Sequence, residues 1–443
     1  MAAASSLFAG LRKPDHMASF APRRFYYLIV IWLAVATLLL LGNHYLGSSS
    51  VASSWHFPHV TDDGTLSLPS WSHRGGSQGT KLRIALLEAA GVHDEVTSAL
   101  VHAFGGQRDV ELMMYQQKQR YNMSAIVDEF KLPSPIRNIT SPPALRNDTL
   151  ETPPHVVVST TCELDTQFRQ DVFETLLTES NSYLFCLCHH ADQWITGSNV
   201  DMVKRFAAQG RLDMIALSNH TGEYLRTKSI PTWEEGASVR IRVLPPIFPA
   251  NGPGPKNAAE LNLAMQGDFS SERRNYQRIF SGLSGVVDKV NTLPTTDNVT
   301  LHLLGHGKKP KVPDEIRDRV AFDEDLSYPD FYAILSTAYA VLPAFATDHY
   351  FDRKASSTVP ASIIAGAPLV ASKQLLESYT YLPREATWEI QEGESELDTV
   401  RRIVGDQVEF AKKRWLIAST RERLLKENIA NVHTWLVEAL RRL

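Results

Sequence analysis

The chain has 443 residues, a length that suggests about three domains while still permitting a single large one. Apolar residues make up 43% and charged residues 21%, with 24 Gly and 24 Pro spread without a period, which excludes a collagen, a disulfide scaffold and a disordered chain. Forty-five Lys and Arg against 49 Asp and Glu leave a formal charge of −4, so no global basic field exists to draw the chain to nucleic acid.

In chain order, residues 1–24 read as a tail and residues 25–46 as a transmembrane helix. The latter run, FYYLIVIWLAVATLLLLGNHYL, holds no Asp, Glu, Lys or Arg and as a helix can cross about 30 Å of hydrocarbon. Arg12, Lys13, Arg23 and Arg24 precede it, and no Lys or Arg follows until Arg74, so the positive-inside rule leaves the N-terminus in the cytosol. The rest is then lumenal, a single-pass type II arrangement in the Golgi or the endoplasmic reticulum membrane. Five glycosylation sequons, at Asn122, Asn138, Asn147, Asn219 and Asn298, all lie beyond the span, as that topology requires. Residues 47–80, rich in Ser, Gly, Pro and His, read as a stem.

From Lys81 onward apolar runs alternate with amphipathic stretches, the pattern of parallel strands joined by crossover helices. The spacing predicts strands over 82–87, 110–115, 155–159, 183–188, 214–217 and 239–244, and an exposed Pro- and Asn-rich insertion over 132–154. Cys162, Cys186 and Cys188 are too few for a disulfide framework or a zinc site. Cys186 and Cys188 share one strand face and read as buried thiols. The Pro- and Gly-rich run 244–256 reads as a linker. A second set of strands is expected over 261–266, 299–304, 320–322, 339–342 and 368–371, with helices over 273–283, 330–338 and 356–365. Most of 395–443 reads as helix. The domain reading is therefore 1–24, 25–46, 47–80, 81–250, 251–394 and 395–443.

Open α/β sheets bind ligands beyond the carboxyl ends of their strands, so residues in those loops are the candidates. Gly267 permits a turn after 261–266, and Arg273 with Arg274 open the next helix, where two guanidinium groups suit a diphosphate. After 82–87 the loop EAAGVHDEV places His93 and Asp94 just before a helix. His189, His190 and Asp192 follow another strand and read as a satisfied surface pair rather than ligands. His302 and His306 read as structural.

The stretch 319–382, RVAFDEDLSYPDFYAILSTAYAVLPAFATDHYFDRKASSTVPASIIAGAPLVASKQLLESYTYL, resembles the C-terminal donor-binding domain of GT-B glycosyltransferases. It shows the same series: a strand and loop at the base, a short helix, a strand ending in Pro343, then a loop and a helix closing on Ala365, Gly366 and Pro368. The resemblance implies two Rossmann-like domains facing a cleft, the acceptor on the side of 81–250 and a nucleotide-sugar as co-substrate on the side of 251–394. No further cofactor and no metal ion are implied, and the acceptor is a glycan, a glycoprotein or a lipid. It places Lys354, Ser356, Ser357 and Thr358 at a helix N-terminus against the donor diphosphate. It makes His93 the base that takes the acceptor's proton, with Asp94 orienting it. The retaining members carry a Glu pair before that Gly, and the corresponding positions here hold Arg353 and Ala361. Two alternatives stand beside this reading. Asp323 and Asp325 form an Asp-X-Asp sequence of the kind that holds a divalent metal in GT-A glycosyltransferases, and a degenerate transferase fold could bind sugar or nucleotide without turnover.

Overall fold

A computed structural model describes residues 81–443 apart from 140, 251, 253–259 and 295–297. The expected tail, membrane segment and stem lie outside the described residues, and no helix among those described is long and apolar enough to cross a membrane.

The first half is built on β1 (Leu82–Glu88), β2 (Val110–Gln116), β3 (Arg137–Ile139), β4 (Val156–Ser159), β5 (Tyr183–Cys188), β6 (Leu212–Ala216) and β7 (Arg240–Val243). They pair in the order β3-β2-β1-β4-β5-β6-β7, all parallel, with Leu82 opposite Val110 and Ile84 opposite Val156. Helices cover both faces of such a sheet, which is why the strands are unbroken apolar runs: every residue of β5 is buried. The covering helices include α1 (Asp94–Gly105), α2 (Ala144–Glu151), α3 (Cys162–Phe168) and the short α4 (Asn219–Tyr224).

The second half repeats the plan with β8 (Glu260–Gln266), β9 (Asn298–Gly305), β10 (Val320–Glu324) and β11 (Ala340–Val341) in the order β10-β9-β8-β11. A parallel bridge from Val341 to Leu369 leads on to the pair β12 (Val370–Ala371) and β13 (Trp388–Glu389). Its helices include α5 (Tyr276–Val290), α6 (Tyr328–Leu335) and α7 (Thr358–Ala365), and α8 (Gln407–Leu440) ends the chain. In each half the first strand sits inside the sheet, β1 between β2 and β4 and β8 between β9 and β11, so the strand order reverses there and opens a crevice at the carboxyl ends.

Three local expectations need correction. Cys186 is not a thiol: it is disulfide-bonded to Cys162 at the start of α3, with Cα atoms 5.3 Å apart, and Cys188 alone remains a buried thiol. The stretch 132–154 is more than an insertion, since it supplies the edge strand β3 and α2, whose Leu145 is buried and whose Asp148 accepts a 2.6 Å bond from the Tyr115 hydroxyl. Arg273 and Arg274 do not open α5: Asn275 caps it by accepting from the Arg278 N–H at 3.0 Å, so both arginines stand in the preceding turn. In the run from Leu244, Leu244, Ile247 and Phe248 are buried in one apolar cluster with residues of α8.

The last helix does not stand apart. The Asn428 amide donates to the Pro245 carbonyl at 2.8 Å, the Gln107 amide donates to the Ile429 carbonyl at 2.9 Å, and Glu438 pairs with Arg240 and Arg242 of β7. A single apolar cluster runs from Leu86, Phe104 and Phe185 through Phe248 and Tyr332 to Ile363 and Leu369, so the two halves share part of one core.

Candidate active site

The loop after β1 is shaped by buried carboxylates. Glu88 accepts from the N–H groups of Gly91 and Val92 at 3.0 and 3.1 Å, and Asp165 accepts from the Ala89 N–H at 2.7 Å and the Ser159 hydroxyl at 2.7 Å. The chain is thereby folded sharply back, and His93 takes the left-handed conformation (φ 60°) as it starts α1. Its ring lies open to solvent yet against the ring of His189, with centroids 3.9 Å apart and planes 20° from parallel. Desolvation by the surrounding protein, and after it the neighbouring His189, His190 and Arg273, lower the His93 pKa well below the usual imidazole value, which favours the form with a lone pair to offer.

Asp94 faces elsewhere. Its carboxylate accepts from the Gln116 amide at 3.0 Å, and burial, with Glu95 and Glu88 nearby, pushes its pKa up to about 7. The group laid against His93 is thus His189, which is buried rather than a member of a surface pair. The sequence carries one signal for it: His189 directly follows an apolar strand, and His93 stands in the loop after another. The remaining histidines of interest are paired, His302 with Asp323 at 2.8 Å and His306 with Asp268 at 3.2 Å.

Across the cleft, Gly267 (φ 121°) turns the chain after β8. The two arginines that follow divide their tasks. Arg274 is buried; its guanidinium donates to the Gln266 carbonyl at 2.9 Å and the Thr358 hydroxyl at 3.0 Å, and lies over the rings of Phe345 and Tyr350. Arg273 is exposed and pairs with Asp268. Gln266, which sequence reading missed, donates its amide to the hydroxyls of Ser357 and Thr358 at 3.0 and 3.1 Å and so ties the β8 loop to the start of α7. Ser356 is buried, with its N–H donating to the Tyr379 hydroxyl at 2.8 Å, whereas Ser357 is exposed at the helix end. Lys354 is half-buried, and its pKa is lowered by that burial and by the neighbouring cations Arg273 and Arg353, against the pull of Asp192. Gly267, Arg274, Ser357 and Thr358 are therefore brought together, with Arg274, Ser356 and Thr358 as inner supports and Arg273, Lys354 and Ser357 towards the open side.

The two halves touch through these same loops. His190 and Lys354 form an antiparallel bridge, the Ala191 N–H donates to the Arg353 carbonyl at 3.0 Å, and Arg353 pairs with Asp192 at 3.2 Å. On the other flank the Tyr328 N–H donates to the Tyr121 carbonyl at 2.7 Å, and the Tyr328 side chain lies beside Glu95. Five non-glycine residues among those described have positive φ: His93, Tyr121, Asn122, Asp325 and Ala344. Each follows the carboxyl end of a strand, β1, β2, β10 or β11, and such strain gathers where surrounding structure enforces a functional geometry.

Asp323 and Asp325 are engaged separately, the first by His302 and the second by the Tyr121 hydroxyl at 3.4 Å, and no group of three or more His, Cys, Asp or Glu among the described residues is arranged as metal ligands. Among the sequons, Asn122, Asn147, Asn219 and Asn298 are exposed, and the Asn219 amide is also bonded to the Thr380 hydroxyl of the other half.

No family model matches the sequence, and neither does any curated protein. Several solved structures are distantly similar. Anabaena HepE in complex with UDP-glucose shares 13% identity at a TM-score of 0.48, over 82% of this chain and 100% of its own. Sucrose-phosphate synthase of Thermosynechococcus elongatus shares 15% at 0.45, over 82% and 98%, and an O-GlcNAc transferase of Thermobaculum terrenum shares 14% at 0.47, over 82% and 66%. At that distance, what the cleft can do is derived from its own geometry.

Proposed function

We propose that the chain is a glycosyltransferase that moves a sugar from a nucleotide-sugar bound between the halves to a hydroxyl of a glycan, glycoprotein or lipid acceptor. The observation that carries this reading is the meeting of two sets of strand-end loops: an imidazole, His93, stacked on His189 after β1, and a cluster for an anion, Lys354, Arg273 and Ser357 with the N-terminus of α7, from the other half. Lys354 and the helix N–H groups would hold the donor diphosphate, where charge and dipole both favour an anion. As the bond from the anomeric carbon to the diphosphate oxygen breaks, the diphosphate leaves with the electron pair and those groups stabilise it. The acceptor oxygen forms the new bond to the anomeric carbon, and its proton passes to His93. Arg353 and Ala361 stand at the positions where the retaining members carry their Glu pair, and neither side chain is a carboxylate, which favours direct attack with inversion.

The same proposal makes residues 25–46 a type II membrane anchor and the described body lumenal, in the Golgi or endoplasmic reticulum. Support comes from Arg12, Lys13, Arg23 and Arg24 before the span, from the five sequons beyond it, and from the Cys162–Cys186 disulfide, a bond that persists in oxidising compartments. Removal of N-glycans should lower the apparent mass, and protease added to sealed microsomes should spare the body; degradation of an unglycosylated body would overturn the topology.

The test of the chemistry is release of nucleoside diphosphate by the full-length chain from UDP-glucose, UDP-N-acetylglucosamine and GDP-mannose with a mixed acceptor panel. His93→Ala should lower that rate by about a hundredfold or more and leave donor affinity nearly intact. Binding without turnover would point to a sugar- or nucleotide-binding protein, and loss of turnover on chelation would point to Asp323 and Asp325.

A further inference from the structure

The backbone N–H and the Nε2 of His189 are engaged within its own half. The residue lies in the loop after β5 and is only 9% exposed. Its backbone N–H donates to Glu163 Oε1 at 2.7 Å, and its Nε2 lies 2.8 Å from the Thr160 carbonyl, which can only accept, so Nε2 carries the proton. Glu163 is itself held, accepting from the His190 N–H and the Trp194 indole at 2.9 and 3.1 Å. What remains is a flat ring face, fixed in position and orientation, and His93 lies on it.

We propose that His189 is the positioning residue for His93, a fixed plate that sets the plane of the His93 ring and so the direction in which its nitrogens meet the acceptor hydroxyl. The proposal rests on His93 acting as the base. His93 needs such a plate because nothing else directs it. Its backbone is in the left-handed region, its side chain makes no capping bond to α1, and the adjacent Asp94 is turned to Gln116. A histidine on an exposed loop samples several rotamers, and a base that must lie within hydrogen-bond reach of one proton loses rate with each rotamer that points away. Offset stacking of two aromatic rings selects one plane without using either nitrogen of the upper ring. The groups facing His93 from other elements are His189 and His190 of the β5 loop and Arg273 of the second half, with Asp94 and Glu95 beside it on α1. A carboxylate laid against the ring would favour its protonated form, whereas His189 orients it and leaves it neutral.

The test compares His189→Ala, which removes the plate, with His189→Phe, which keeps a flat ring and drops the nitrogens. Two readouts are taken on the full-length chain. One is nucleoside diphosphate release from the three nucleotide-sugars above, resolved into kcat and KM. The other is the ring-proton resonance of His93 in histidine-labelled protein, displaced by the neighbouring ring's current and independent of turnover. His189→Ala should lower kcat about tenfold, leave the donor KM within about twofold, and return the His93 resonance to that of an unstacked ring. His189→Phe should restore most of kcat and keep the resonance displaced. The proposal is overturned if Phe is as slow as Ala, or if the His93 resonance stays in place in His189→Ala. Should His93→Ala turn over at the normal rate, the base reading fails by that result, and the resonance decides separately whether His189 holds the ring.

Discussion

Both ring nitrogens of His220 reach the opposite half: Nε2 lies 3.0 Å from the Lys354 carbonyl and Nδ1 2.9 Å from the Ser378 carbonyl. The residue stands at the start of α4, after β6, so one imidazole fastens the first half to the segment that carries the cluster's lysine. His220→Phe keeps a ring of similar size and removes both ring nitrogens from the two carbonyls. Unfolding by denaturant should show a loss of about 1–3 kcal/mol, and nucleoside diphosphate should bind more weakly as Lys354 loses its tether. Unchanged stability and affinity would mean that this contact fastens nothing.

Gly305 ends β9 where no side chain fits, since a Cβ there would stand 2.0 Å from the Gly267 carbonyl oxygen. Backbone cannot swing aside as a side-chain end can, so Gly305→Ala must push the β8 loop away and should cost about 1–3 kcal/mol. Gly285, inside α5, is the control: its nearest neighbour would be the Arg401 side chain at an ordinary 3.5 Å, and Ala there should stabilise by about 0.5–1 kcal/mol. Thermal melts should move in opposite directions, and two equal shifts would contradict the crowding at Gly305.

Arg274 reads as a stability residue. Its fork meets one carbonyl and one hydroxyl inside the second half, a geometry that Lys cannot reproduce from a single ammonium. Arg274→Lys should therefore lower the melting temperature by the equivalent of about 2–3 kcal/mol and weaken diphosphate binding only in step with that loss. Full stability with a selective loss of affinity would show that the guanidinium meets the ligand instead.

Asp94 supplies the pH dependence. Folded, its carboxyl titrates at about 7 because burial, then Glu95 and Glu88, oppose its charge, against 3.8 for the free side chain. Between those values the native state holds a proton that the unfolded chain has released, so stability falls as pH rises from about 4 through about 7. Asp94→Asn keeps an oxygen for the Gln116 amide and removes the ionisation. The variant should melt higher than the parent at pH 8, by as much as about 4 kcal/mol, with the gap closing towards pH 4. A gap independent of pH, or a less stable variant at pH 8, would contradict the assignment.

The long strands were legible because burial on both faces leaves unbroken apolar runs, as in β1 and β5, and the helices expected over 330–338 and 356–365 fall within about three residues of α6 and α7. The edge strand β3 was not, since three residues in a Pro- and Asn-rich stretch carry no period. Nor were the different tasks of Arg273 and Arg274 readable: identical neighbours in sequence, they are separated only by which one the turn directs inward. Asp94 was expected to orient His93 because it is adjacent, yet successive residues of a helix point about 100° apart, and the ring that reaches His93 comes from another strand's loop. The Cys162–Cys186 bond likewise joins residues that only the sheet brings within reach.

The central claim is that a nucleoside diphosphate is held between the halves at Lys354 and the start of α7, and its direct measurement is calorimetric titration of the full-length chain with UDP and GDP, alongside Lys354→Ala. Saturable binding of at least one of them by the parent, weakened about tenfold to a hundredfold in the variant with its fold intact, is the expected result, the loss of one charge-assisted contact of about 1.5–3 kcal/mol. Binding that is the same in both proteins would move the anion site away from Lys354, and no binding of either nucleotide by the parent would contradict the claim itself.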